Sequence, residues 1–148
     1  MYPKNPYDPD TYAALVARIE ALTPDAHPAW GKMNVAQMLA HCAEVTEVTN
    51  GKELKHTPFF IRWFGSLIKG MVLADKPYPK NSPTHPQYVK SGPEEFAAQK
   101  ARLLAGLEAM RAAGPRERRH PIFGTLTAEQ SGWATWKHLD HHLTQFGA

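Results

Sequence analysis

Apolar residues recur every three or four positions along most of this chain, and thirteen prolines cut that pattern into segments. From about Asp10 to Leu22, Tyr12, Leu15, Val16, Ile19 and Leu22 share one helical face. A second segment opens at Asn34 and runs to about Asn50, with Val35, Met38, Leu39, Cys42 and Val45 as its stripe. Asn34 is a good N-cap there, and Gln37 three residues on completes a capping box. The third segment, residues 58–74, is bulky and aromatic, and the polar run KPYPKNSPTHPQYVKSG after it is too broken for a regular element. Ser91-x-x-Glu94 announces a fourth helix carrying Phe96, Leu103, Leu104, Leu107 and Met110, which Gly114-Pro115 stops. The last helix starts at Thr127, boxed with Gln130, and runs to about Phe146. No stretch alternates with period two and no hairpin signal is visible. The pattern predicts an all-α fold: one domain spanning residues 1–148, an up-and-down four-helix bundle with an extra helical segment around residues 58–74.

Composition narrows the function classes. With 43% hydrophobic and 21% charged residues, the 148-residue chain reads as an ordinary globular domain large enough to bury a core. Its formal charge of +3 is spread along the chain, and the one basic cluster, Arg116–Arg119, reads as a solvated loop, so no nucleic-acid partner is expected. The lone Cys42 excludes an intrachain disulfide and fits a reducing compartment. The N-terminus shows no apolar run of a signal peptide, so a cytoplasmic protein is expected. TPFFIRWFGSLIKGMVL, ending at Leu73, is too short to span a bilayer and carries Arg62 and Lys69. A helix packed on the domain or across a dimer interface suits it better than a membrane surface, so no membrane partner is expected.

The chemistry concentrates in histidines. Three of the eight stand in HLDHHLTQFG, which begins at His138. At 100° per residue, His138 and His142 share one shoulder of the last helix beside the stripe of Trp136, Leu139, Leu143 and Phe146. His141 lies near the opposite face. His41, on the second helix in line with Gln37, Val45 and Val48, is the candidate third ligand, because inward side chains of two helices meet inside a bundle. Three neutral imidazoles would leave a coordination position open, as in catalytic rather than closed structural sites. Gln37 and Glu44 are candidate partners for the ring N–H groups, and Glu44 is the only nearby carboxylate to nominate as a general base. Asp140 projects away from the shoulder, Cys42 reads as a small core residue, and His27, His56 and His85 read as solvated loop residues.

The segment WGKMNVAQMLAHC, ending at Cys42, resembles the DinB/YfiT-like family of metal-dependent four-helix proteins. HPIFGTLTAEQSGWATWKHLDHHLTQFG, from His120 to Gly147, is similar to one subfamily with an HP-x-FG turn and an ending H-x-x-HH-x-x-QFG. The resemblance implies a bundle with a divalent metal on His41, His138 and His142, zinc or nickel first and iron or manganese next, and a homodimer. It also places His120 near the site, at the pocket mouth or stabilising its turn. The implied activity is a metal-dependent enzyme activating water or a low-molecular-weight thiol, a hydrolase or thiol transferase acting on a small molecule. The alternative is a non-catalytic metal-binding or structural dimeric bundle.

Overall fold

The computed structural model describes residues 2–148. Six α-helices dominate it: α1 (Pro9–Ala21), α2 (Val35–Thr49), α3 (Phe59–Trp63), α4 (Gly65–Leu73), α5 (Phe96–Ala113) and α6 (Ala128–Gln145). The chain is an all-α bundle, built from α1, α2, α5 and α6. The helices that pack together are α2 with α5, α2 with α6, α1 with α6 and α1 with α5. Of the consecutive long helices, α2 and α5 are neighbours, whereas α1 packs on α5 and α6, and α2 runs beside both C-terminal ones.

Side-chain caps account for the starts of α1, α2 and α6. Asp8 caps α1 by accepting the Thr11 N–H at 2.8 Å. Asn34 and Gln37 form the expected reciprocal capping box, with bonds of 2.8 and 2.9 Å. Thr127 and Gln130 repeat it on α6 at 3.0 and 3.1 Å. The box expected at Ser91 and Glu94 does not form: α5 starts at Phe96, after Glu95 in extended conformation. Gln37 donates to the Gly92 carbonyl at 2.9 Å, holding that segment against α2, and Glu94 accepts from Gln99 instead.

One further expectation is corrected, and one is refined. Residues 118–126 form an antiparallel hairpin of β1 (Arg118–His120) and β2 (Gly124–Leu126), with Arg118 opposite Leu126 and His120 opposite Gly124. Three-residue strands are too short to display alternation, so periodicity could not signal them. The segment 58–74 is broken at Phe64 into α3 and α4, although Phe64 still donates to Phe60 and accepts from Ile68. Gly65 permits its approach to the hairpin, because a Cβ there would lie 2.6 Å from the Ile122 carbonyl oxygen.

The core lies between the four long helices, where Leu15, Ile19, Met38, Leu39, Leu103, Leu107, Leu139 and Leu143 are fully buried. Each such side chain contributes roughly 1.5–3 kcal/mol by leaving water. The close approach of α5 to α2 rests on Gly106, whose missing Cβ would stand 3.2 Å from Thr46, and on Asn50 donating to the Gly106 carbonyl at 2.9 Å. α4 docks on α6 through polar groups: Lys137 Nζ donates to the carbonyls of Met71, Val72 and Ala74 at 2.7–3.2 Å. Trp133 Nε1 adds a bond to the Leu73 carbonyl at 3.2 Å. These are the carbonyls a helix C-terminus leaves unpaired, and a cation is their favourable partner. Among the described residues, no helix is long and apolar enough to cross a membrane.

Candidate metal centre

Where α2 runs beside α6, three imidazoles converge. His41 is held by a helix buried on nearly every side, and His138 and His142 stand one turn apart on α6. One nitrogen from each ring lies within 4.8 Å of the other two, and the Nε2 atoms of His41 and His138 are 2.9 Å apart. Ring centroids are separated by 4.7–4.9 Å throughout the trio.

Hydrogen bonding fixes two of the tautomers. His41 Nδ1 lies 2.8 Å from the Tyr88 carbonyl, an acceptor only, so Nδ1 carries the proton and Nε2 keeps its lone pair. His142 Nδ1 lies 2.8 Å from Gln145 Oε1. The Gln145 amide cannot be turned round, because its Nε2 donates to the Trp30 carbonyl at 2.7 Å. His142 therefore also donates through Nδ1 and offers Nε2 as a ligand atom.

Electrostatics favour neutral rings. Burial depresses the pKa of His41, with the Lys90 charge adding to the effect. Burial also pushes His138 well below the ordinary histidine range, helped by the other rings. His142 is pushed down to about 3, again chiefly by burial. Two oriented, unprotonated Nε2 atoms facing a third ring form a donor set that fits a divalent first-row ion, and the N–H partners are the kind that orient metal-bound histidines.

The other candidate residues lie elsewhere. Gln37 is occupied by its capping box and Gly92. Glu44 is buried and ion-paired with Lys52, with Lys90 at 3.2 Å and with Arg102 at 3.5 Å. Although burial alone raises its pKa, the Lys52 and Lys90 bonds and charges prevail and hold it at about 2. A carboxylate so paired is a poor proton acceptor near neutral pH. The partners of the ring N–H groups are Tyr88 and Gln145 instead. His120 stabilises its turn: Nδ1 accepts the N–H groups of Ile122 and Phe123 at 3.1 and 3.3 Å, and the ring stacks on Phe123. Asp140 pairs with Arg18 at 2.7 Å, away from the trio. Cys42 is buried, and burial raises its thiol pKa, as suits a core residue.

Sequence reasoning overlooked residues 76–92, set aside as irregular. That segment contributes the Tyr88 carbonyl, at the end of a short 3-10 turn (Pro86–Tyr88). His85, expected in solvent, is buried and caps this turn, accepting the Gln87 N–H at 3.0 Å and meeting Thr57 Oγ1 at 3.1 Å. The Tyr78 and Trp30 rings each pack 5.5 Å from His141, which is half-buried against these neighbours. Gln145 had a signal, its place three residues after His142, one helical turn away.

Comparison with curated proteins and with solved structures finds no match. A profile of the DinB superfamily matches residues 8–146, from the α1 cap to the end of α6 and including all three histidines. The chain belongs to the DinB superfamily.

Proposed function

We propose that this protein is a divalent-metal-dependent enzyme in which His41, His138 and His142 hold the ion. The observation that carries this reading is the pair of Nε2 lone pairs on His41 and His142, oriented by Tyr88 and Gln145 toward the His138 ring. Imidazole nitrogens suit zinc or nickel first, and iron or manganese next. A dication bound by three neutral ligands lowers the pKa of water or a thiol in its open position, supplying a nucleophile near neutral pH. Hydrolysis of a small molecule and transfer of a low-molecular-weight thiol are the two reactions this supports. The protein's own contribution is to hold the rings neutral and aimed; the ion-paired Glu44 is left out of proton transfer. We read the protein as cytoplasmic and homodimeric.

A second reading, a metal that only stabilises the bundle, is favoured by the cover over the trio. His41 and His142 are buried and His138 is half-buried, with the Tyr88 carbonyl closed on His41. Elemental mass spectrometry on untagged protein tests the common premise. About one equivalent of metal per chain is expected, lost in His138→Ala. A wild type that takes up no metal on reconstitution sinks both readings. The cobalt(II) form separates them: a spectrum that shifts on adding azide or 2-mercaptoethanol shows an open position, and an unmoved one leaves the structural role.

A further inference from the structure

The largest anomaly on the surface is the outer side of α3 and α4. Phe59, Phe60, Trp63, Phe64, Leu67 and Met71 are all exposed there, with Phe59 at 74%, Trp63 at 81% and Leu67 at 72% of full exposure. At 100° per residue the six fall within roughly 140° of arc. Ile61 and Gly65, which are buried, and half-buried Ile68 and Val72 occupy the opposite sector, against the body. A helix apolar on both sides is normally covered on both.

We propose that this stripe is the two-fold interface of the homodimer, with a second copy of the chain as its occupant; the inference rests on the homodimer reading above and names its surface. The area of the stripe suits a dimer. Six side chains of this size and exposure present on the order of 700 Å2 of apolar surface. A stable interface takes about 800 Å2 from each partner, and a patch of this size is unusual on a monomer.

Its shape suits a second copy. The stripe is bulky at its N-terminal end, with three phenylalanines and a tryptophan, and slim at its C-terminal end around Gly70. Gly70 is exposed at the edge of the stripe, and a Cβ placed on it would meet nothing within 4 Å. A two-fold axis across the helix sets the aromatic end of each copy over the Leu67–Gly70–Met71 end of the other, large against small. Such self-complementarity is what an isologous contact requires.

Charge disfavours a lipid surface. A helix lying in a bilayer interface carries Lys and Arg beside its apolar stripe. Here Lys69 donates to the Thr125 carbonyl at 2.9 Å, and Arg62 falls roughly 130° from the middle of the stripe. The stripe itself is free of charge, as the centre of a protein interface is.

The test is sedimentation equilibrium of the full chain at micromolar concentration, for wild type, Gly70→Leu and Trp63→Ser. Both substitutions fall on exposed positions, and circular dichroism checks that each variant keeps its helix. The wild type is expected to be a dimer, with the dissociation constant raised at least about a hundredfold in each variant. A dimer that neither substitution weakens overturns this face while leaving the homodimer reading intact. A monomeric wild type overturns both. If that monomer co-sediments with vesicles containing phosphatidylglycerol, the occupant is lipid instead.

Discussion

The Nε2 atoms of His41 and His138 face each other at 2.9 Å, while His41 donates its only ring proton backwards to the Tyr88 carbonyl. Without a cation, His138 must carry its proton on Nε2 and donate it to His41. A cation held by the trio would instead need that proton on His138 Nδ1, leaving a lone pair on each Nε2. The His41–His138 pair is therefore closed by a proton as it stands, and His142 would complete a three-nitrogen set for a metal ion.

Gln145→Leu removes the acceptor that orients His142 while leaving all three ligands in place. Metal affinity should fall by about 10–100-fold, because the ring loses the bond that fixes its tautomer and direction. Competition with a coloured chelator reads this directly, and an unchanged affinity would mean that Gln145 plays no part in the site.

Acid should unfold the metal-free protein early. The folded pKa values of His120 and His142 are depressed to about 4 and about 3, chiefly by burial. Between those values and about 6.5, the unfolded chain binds protons that the folded one does not, so stability falls as pH drops through that window. At pH 5 each of the two removes on the order of 2 kcal/mol, and His41 and His138 act in the same direction. Urea midpoints should hold level from pH 8 to about 7 and fall from about 6.5 to 5; a profile flat down to pH 5 would contradict neutral burial of these rings.

Glu44→Gln should destabilise the fold by a few kcal/mol at pH 7, on the order of 3 from the depression of its pKa to about 2. Because that pKa is depressed, the loss is fully present above about 4.5 and fades as pH falls toward 2. The midpoint difference between wild type and variant, followed with pH, shows whether it does. In a metal-loaded enzyme the same substitution should leave the neutral limb of the pH–rate profile in place, since Glu44 is already ionised and paired there.

Lys137→Met should loosen α4 from α6. Its ammonium is the shared partner of three carbonyls at the end of α4, and charged hydrogen bonds of this kind are worth roughly 1.5–3 kcal/mol. Amide exchange should accelerate in Gly65–Leu73 more than in α2 or α5. Uniform acceleration through the bundle would show that the contact supports the whole fold and not this helix in particular.

Sequence alone determined the helices, their caps at Asn34 and Thr127, and the shared face of His138 and His142, because each follows from neighbours within one helical turn. His41 was legible as a candidate from its place on the inner edge of the second helix. The tertiary structure decided what depends on distant parts of the chain. Gln37 was needed by its own helix start and Glu44 by the lysines around it, so neither served the histidines. Tyr88 serves them through a backbone carbonyl, which no side-chain pattern announces. The break at Phe64 and the three-residue strands depend on how α4 and the hairpin settle against each other, as Gly65 under the Ile122 carbonyl shows. Periodicity reports which face of a helix avoids water, whereas the partner waiting across that face is set only when the whole bundle packs.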